Sequence, residues 1–362
     1  MKAPAPIEVP VGIPGRKCRV LVGPDLLART GELARDSGLG GTCAVITDEN
    51  VGPLHGAAVQ NSLEAAGIRT VLLTVPAGER SKCLATAEDV CDRMIEAGLD
   101  RGSFVVALGG GVVGDLAGFV AAIYQRGIPL VQIPTTIVAQ VDSSIGGKTG
   151  VNARAGKNLI GAFHQPRLVL ADTNALATLP DREYREGFAE VIKHGAIRDA
   201  ALLEALDPAT PREHLAPLIA RNIAIKAAIV AADEHEQTGQ RALLNFGHTI
   251  AHAIENVAGY GRFLHGEAVS LGLAAALEIS QSKAGLSGPE AARVRAKLAA
   301  FGLPLTLAAD LSADDLLAAA RRDKKFTGGR VRYVVIPRLG EAFLAEDVTE
   351  DDLRAALQTL RV

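Results

Sequence analysis

FVVALGGGVVGDLAGF, residues 104–119, is the stretch on which the fold turns. Phe104 to Leu108 make a short apolar strand, Gly109, Gly111 and Gly114 follow in the spacing GxGxxG, and the residues beyond them read as helix. A strand that passes through glycine straight into a helix presents backbone N–H groups and the positive helix end, where a pyrophosphate can sit. Taken alone, the motif is also what an ordinary tight strand-to-helix turn requires. The turn follows the fourth candidate strand rather than the first. No acidic residue ends the next strand, so a ribose partner must lie elsewhere. Asp48, at the end of TCAVITD, is a candidate, and Asp115, directly after the motif, could instead hydrogen-bond near a nicotinamide ribose.

Working outward, CRVLVG, TCAVITD and RTVLLTV read as buried strands before the motif, and PLVQIPTT reads as one after it. Ala- and Leu-rich helical patterns separate them, as in residues 52–67 and 81–98. This βαβ rhythm implies a largely parallel sheet covered by helices on both faces. From about Asn174 the periodicity becomes helical, over residues 178–197, 214–234, 249–258, 267–285, 289–302 and 312–325. Pro289 suits the first turn of its helix. RVRYVVIPRLG, residues 330–340, reads as a late hairpin strand. The expected architecture is an α/β N-terminal dinucleotide-binding domain of Rossmann-like type over residues 1–173, followed by a mainly helical C-terminal metal- and substrate-binding domain over residues 174–362.

A chain of 362 residues exceeds what one core usually supports, which agrees with two domains. With 48% hydrophobic and 22% charged residues and a net charge of -3, it has globular composition and lacks the basic blocks of a nucleic-acid binder. Its four cysteines, Cys18, Cys43, Cys83 and Cys91, form no CxxC pair and read as reduced thiols. No secretory signal and no long apolar run is evident, so the expectation is a cytoplasmic protein without a membrane segment.

Residues 134–163, PTTIVAQVDSSIGGKTGVNARAGKNLIGAF, read as a polar loop suited to an oxygen-rich substrate. The triphosphate-binding pattern GxxxxGK[ST] fails there at both ends, because Val151 and Asn158 occupy the required positions. Further on, Glu190 and Lys193 stand one helical turn apart, His248 and His252 stand four apart on one helix face, and His265 opens HGEAV. A carboxylate with two imidazoles is a common catalytic zinc set that leaves a position open for substrate oxygens. Thr249 after His248 excludes the HExxH peptidase signature. Arg241, Asn245 and His248 follow at steps of four and three. Lys226 lies in an apolar helix and needs an anionic partner if buried. Arg126 and the Lys324/Lys325 pair complete a possible anion pocket.

With PAGERSK, GGGVVGDLAGFVAAIYQRG, PTTIVAQVDSSIGGKTGVN, GKNLIGAF, TLPDREYREGFAEVIKHG, RALLNFGHTIAHAIE, LHGEAV and DKKFTGG in this order, the chain resembles the dehydroquinate synthases of the sugar-phosphate cyclase family over nearly its whole length. The resemblance implies metal ligands Glu190, His248 and His265, with His252 a substrate or proton-transfer residue. It implies a substrate set of Arg126, Asp142, Lys148, Lys157, Asn158, Lys193, Lys226, Arg241, Asn245 and one or both of Lys324 and Lys325. It implies a cofactor set of Asp48, Glu79, Lys82, Gly110, Gly111, Val112, Asp115, Thr135, Thr136, Thr178 and Leu179, with Lys148 and Lys157 shared. The chain departs from the common pattern at Ala153-Arg154, where His-Pro is frequent, at His194, where Tyr is frequent, and at Ala251, where Gly is usual.

The implied activity is a phosphate-eliminating lyase of the shikimate route to aromatic amino acids. It uses NAD and one divalent metal, Zn2+ or Co2+, and acts on a phosphorylated seven-carbon sugar acid, commonly as a homodimer. The fold implied also resembles metal-dependent glycerol and alcohol dehydrogenases. A polyol dehydrogenase would accumulate NADH and release no phosphate. Another cyclase would prefer sedoheptulose 7-phosphate or glucose 6-phosphate, and a noncatalytic relative would bind substrate without turnover.

Overall fold

Successive residues of a strand face opposite sides of a sheet, and Phe104–Gly109 shows the consequence. Phe104, Val106 and Leu108 join one apolar core with Val45, Val131 and Leu170, while Val105 and Ala107 join another with Ala44, Ile46 and Val120. Every residue of that strand is buried, as a continuous apolar run in a doubly covered parallel sheet requires. The computed structural model describes residues 5–13, 18–154, 156–259, 261–321, 326–327 and 330–361.

The chain folds as two units, Met1–Pro180 with Thr210–His235, and Asp181–Ala209 with Glu236–Val362. This differs from the single cut expected between residues 173 and 174. The helix Ala216–Ala232, read with the helical half, packs against strands of the first unit. Its apolar residues Ile219, Ile223 and Val230 are buried there, and periodicity alone does not say which core a helix joins.

The first unit contains β1 (Ile7–Pro10), β2 (Arg19–Gly23), β3 (Thr42–Asp48), β4 (Arg69–Val75), β5 (Phe104–Gly109), β6 (Leu130–Pro134), β7 (Lys148–Ala153), β8 (Gly156–Phe163) and β9 (Leu168–Asp172). Its main sheet has the order β1-β2-β9-β6-β5-β3-β4. β1 is antiparallel to β2, and the other neighbours are parallel. The chain winds outward from β3 to β4 and then crosses back to β5, so the winding direction reverses between β3 and β5. Open α/β sheets bind ligands at the carboxyl ends of strands beside such a reversal. The glycine turn therefore occupies a ligand-binding position although it does not follow the first strand.

Residues 148–163, expected as loop, instead form the antiparallel β7–β8 hairpin, with Lys148 opposite Phe163 and Ala153 opposite Gly156. The small residues that suggested a loop serve close packing. A Cβ on Gly161 would lie 2.3 Å from the Thr149 carbonyl oxygen, and one on Gly118 of the helix Gly111–Ile123 would lie 2.5 Å from Thr149 Cγ2. Thr149 Oγ1 also donates to the Ala162 carbonyl at 2.9 Å.

The second unit is mainly helical around the 20-residue helix His265–Ala284. It also holds β10 (Phe326–Thr327), β11 (Arg330–Arg338) and β12 (Glu341–Thr349), an antiparallel sheet that includes the expected late strand. Ser280 Oγ accepts the Ile336 N–H at 3.1 Å, which ties β11 to the central helix. Pro289 falls in the first turn of Gly288–Ala300, as expected. The helix His248–Ala258 crosses the central helix where Gly247 meets Gly272. A Cβ on Gly272 would lie 2.0 Å from the Gly247 carbonyl oxygen, and Gly247 itself has φ +80°. Gly272→Ala should therefore force these helices apart and destabilise the protein by roughly 1–3 kcal/mol, read as a lower denaturant midpoint. An unchanged midpoint would show that the crossing is not under this constraint.

Candidate active site

In the first unit, side chains gather where the parallel strands end. Asp48 closes β3, and its Oδ1 accepts the Asn50 and Val51 N–H groups at 2.9 and 2.8 Å. This positions the turn next to the strand that runs into Gly109. Gly110 starts the following helix without a side-chain cap, so the helix keeps N–H groups for a ligand. None of Gly109, Gly110, Gly111 or Gly114 has positive φ. They are glycines for proximity: a Cβ would lie 2.7 Å from Val113 at Gly109, 3.1 Å from Thr136 at Gly110, and 3.2 Å from Ser143 Oγ at Gly111. Val112 is half-buried in that first turn. The Thr135 N–H bonds the Gly109 carbonyl at 3.0 Å, and Thr136 Oγ1 accepts the Ala139 N–H at 3.1 Å. Thr178 Oγ1 lies 3.0 Å from His55 Nε2, and the Leu179 carbonyl accepts from Arg212 at 2.7 Å.

Lys82 Nζ and Asp115 Oδ2 meet at 2.5 Å. Burial pushes the Asp115 carboxyl above its ordinary value, with Lys82 pulling against the shift. Glu79 accepts a 2.8 Å hydrogen bond at Oε1 from Asn152 Nδ2, and Asn152 Oδ1 accepts the Asn158 N–H at 3.0 Å. Asn158 has φ +55°. Glu79, Lys82, Asp115, Asn152 and Asn158 thus form one connected group, with Lys157 next to Asn158 on β8. Lys226 is buried and donates to Asp142 Oδ1 at 2.7 Å and to the Asp142 carbonyl at 2.6 Å. Asp142 supplies the anionic partner that a lysine in an apolar helix demands.

Arg126 does not join this group. The 13-residue helix Gly111–Ile123 carries the chain roughly 20 Å back to the opposite end of the sheet. Arg126 is exposed there in a turn where Gln125, Arg126 and Gly127 have φ of 50°, 73° and 112°. Proximity in sequence to the glycine motif does not survive one length of helix. Lys148 opens β7 as an exposed residue. Lys324 and Lys325 lie outside the described residues.

The second unit carries the metal-type group. Ligand atoms of Glu190, His248 and His265 all lie within 4.8 Å of one another. His248 Nε2 and His265 Nε2 approach Glu190 Oε1 at 3.3 and 3.2 Å. Glu190 has no exposed surface, and Lys193, one turn on and also buried, contacts its other oxygen. Burial opposes the Glu190 charge, but Lys193 and His248 outweigh it and hold the carboxyl well below the usual range. His248 is pushed below its ordinary value by burial and by Lys193, which keeps the ring neutral and able to bind a metal. Its Nδ1 lies 3.1 Å from the Phe246 carbonyl. His265 Nδ1 lies 3.5 Å from Glu255 Oε1. Two rings with one nitrogen aimed at the group and the other held by an oxygen fit a divalent metal of the zinc or cobalt kind.

His252 is exposed, one turn after His248 with ring centroids 5.5 Å apart, and lies outside the ligand group. Arg241 is buried in the short helix Arg241–Asn245, and Asn245 Nδ2 donates to Glu236 Oε1 at 3.4 Å. The four-and-three spacing of Arg241, Asn245 and His248 is therefore not one continuous helix. Gly247 breaks it, because the left-handed residue makes the helix crossing. The sequence reading missed Glu255, although its position seven residues after His248 places both on one face. It also missed Glu186, which accepts the Gly266 N–H beside His265 and whose pKa burial pushes up to about 7. Asn152 lay in a stretch read as polar loop, where one more polar residue carried no signal. The four cysteines are free thiols, and burial pushes Cys43 up to about 12. No helix among the described residues is long and apolar enough to cross a membrane.

A dinucleotide-type crevice in one unit and a Glu–His–His group in the other define the class as that of metal- and dinucleotide-dependent enzymes. Models described as 3-dehydroquinate synthase N-terminal and 3-dehydroquinate synthase C-terminal match residues 72–186 and 187–326. A 3-dehydroquinate synthase of Caulobacter vibrioides (strain NA1000 / CB15N) is 48% identical over 361 residues, covering 96% of this chain and 97% of its own. The chain belongs to the 3-dehydroquinate synthase family. A 2-epi-5-epi-valiolone synthase from Streptomyces hygroscopicus subsp. jinggangensis 5008, solved with NAD+ and Zn2+ bound, is 32% identical with a TM-score of 0.85, covering 94% of this chain and 96% of that one. A 2-deoxy-scyllo-inosose synthase, solved with carbaglucose-6-phosphate, NAD+ and Co2+, shares the fold at a TM-score of 0.89 and 23% identity, covering 98% and 100%.

Both His265 nitrogens face carboxylates. Burial disfavours its charge, but bonds to Glu190 and Glu255 outweigh burial and raise its pKa well above the ordinary value. The charged ring stabilises the fold below the unfolded pKa, and that contribution is lost as pH rises through the folded one. A metal must displace this proton, so zinc uptake at neutral pH should release about one proton, and zinc affinity should fall with falling pH. Titration calorimetry in buffers of different ionisation enthalpy reads the release, and a buffer-independent heat would contradict it. Glu255→Gln should weaken zinc binding by roughly 10- to 100-fold, measured against a competing chelator.

Proposed function

We propose that the chain is a 3-dehydroquinate synthase, converting 3-deoxy-D-arabino-heptulosonate 7-phosphate to 3-dehydroquinate and phosphate. The observation that carries the reading is the Glu190–His248–His265 group, built on a buried Glu190 with Lys193 against it, in a chain of this family. Two cofactors belong to the reading, NAD and one Zn2+ or Co2+. When bound, they would supply a temporary hydride acceptor and a Lewis acid for a substrate oxygen.

The chain's own groups define what they can do. Glu190, His248 and His265 would hold the metal. The N–H groups at Gly110, Gly111 and Val112, with Asp48, Glu79, Lys82, Asp115, Thr135, Thr136, Thr178 and Leu179, would bind and orient NAD. Asp142 and Lys226 already form a hydrogen-bonded pair, which suits orientation of a hydroxyl or carboxylate. Lys148, Lys157, Asn158, Arg241 and Asn245 would hold the anionic ends of the substrate, together with Arg126 and Lys324 or Lys325. Lys193 would keep Glu190 ionised and stabilise negative charge developing beside it, and His252 would bind substrate or move a proton. Ring closure gains from such fixation, because orienting both reacting ends removes most of the entropic barrier. The same reading makes the enzyme a cytoplasmic homodimer, for which a monomer in sedimentation would count against it.

Incubation with the seven-carbon sugar phosphate, NAD and zinc or cobalt should release phosphate and form dehydroquinate without net NADH. A chelator should stop it. His248→Ala should lose metal and activity together, and retained metal would remove His248 from the ligand set. Absence of phosphate release from folded, metal-loaded, NAD-bound protein would overturn the synthase reading, and release from sedoheptulose 7-phosphate instead would redirect it to another cyclase.

A further inference from the structure

Asn152 is the residue on which two separate stretches of the first unit converge. Its backbone N–H donates to the Lys82 carbonyl at 2.8 Å, next to a parallel bridge between Asn152 and Cys83. Its side-chain Nδ2 donates to Glu79 Oε1 at 2.8 Å, and its Oδ1 accepts the Asn158 N–H at 3.0 Å. Lys82 in turn pairs with Asp115 at the start of the glycine-turn helix. One amide side chain thus joins the segment that follows β4 to the returning strand of the β7–β8 hairpin.

The chemistry of the side chain is specific. A primary amide can donate from nitrogen and accept at oxygen at the same time. Aspartate could accept from Asn158 but would place a second carboxylate against Glu79. Alanine would leave a carboxylate oxygen and a backbone N–H without these bonds. Asn158 also needs support, because its φ of +55° lies in the left-handed region that non-glycine residues enter at a cost. A left-handed residue fixed by a hydrogen bond sets the direction in which its neighbour leaves the strand, and that neighbour is Lys157.

We propose that Asn152 is a positioning residue: it holds the Lys157–Asn158 tip of the hairpin in register with Glu79, Lys82 and Asp115, so that groups for the anionic substrate and for the dinucleotide are presented together. Its kinetic consequence rests on the synthase reading above, whereas the hydrogen-bonded clasp does not.

The test uses the full-length, metal-loaded enzyme. Asn152→Asp should lower kcat/KM for the sugar phosphate by roughly 10- to 100-fold, the scale of a misplaced reacting group. The deficit should shrink as pH falls, because one proton shared between residues 79 and 152 restores the bond. Glu79→Gln combined with Asn152→Asp reverses donor and acceptor and should recover part of the loss relative to Asn152→Asp alone, which a general packing role for Asn152 would not produce. In Asn152→Ala, hydrogen exchange over residues 156–159 should accelerate while the rest of β7 and β8 stays protected. Kinetics of Asn152→Asp within twofold of the parent at every pH, no recovery in the folded double variant, or unchanged exchange in Asn152→Ala would each overturn the proposal. The exchange measurement needs no turnover, so it separates failure of the clasp from failure of the synthase reading, which an inactive parent enzyme would show.

Discussion

A carboxylate with no exposed surface stays ionised only if its surroundings replace water, and Glu190 imposes that condition on the second unit. Lys193 meets it from the same helix, and His248 and His265 meet it from two others. Removing one partner of a buried charge pair typically costs about 3–5 kcal/mol, so this arrangement ties fold and site together. The helices that bring the histidines in can do so only because Gly247 and Gly272 let their backbones touch. The helix beginning at His265 is further held by Glu186, which accepts the Gly266 N–H. The metal-type group is therefore the meeting point of three helices, each constrained by something other than the ligands themselves.

The first unit depends on close approach in a different way. Its glycine turn contains no residue that needs a left-handed backbone. The glycines are there because Val113, Thr136 and Ser143 lie where a Cβ would go. The same logic extends along the helix to Gly118 and into the hairpin at Gly150 and Gly161. Packing of this kind lets the hairpin lie against the helix whose first turn faces the crevice. Among the described non-glycine residues of this unit, positive φ appears instead at Asp25, Gln125, Arg126 and Asn158. Strain of that sort persists only where neighbouring structure holds it, and at Asn158 the holding group is Asn152.

Much of this was legible in the residues. The βαβ rhythm, the strand leading into GxGxxG, the helical second half and the late strand each follow from local periodicity, which depends only on the geometry of strands and helices. The grouping of Glu190, Lys193, His248 and His265 was also accessible, partly from helix spacing and partly from the resemblance of whole motifs. Other features depended on which surfaces meet. The hairpin at 148–163 read as a loop because small and polar residues look alike whether they are solvated or tightly packed. The helix Ala216–Ala232 read as part of the helical half because an apolar face does not name its partner. Arg126 was expected to belong to an anion pocket, and no local pattern tells that one helix length separates it from the glycine turn.

What the sequence by itself determined, then, was the type of each long element, the chemistry of its side chains and the family to which the chain belongs. These are properties of neighbouring residues and of motif order. The tertiary structure alone decided that Glu255 and the Phe246 carbonyl face the histidine rings, that Asp142 answers Lys226, and that Asn152 joins Glu79 to Asn158. Apart from the local one at Phe246 and the six-residue step from Asn152 to Asn158, each of these pairings spans a separation in the chain that no periodicity encodes. They arise only when helices and strands have packed and their polar groups meet partners.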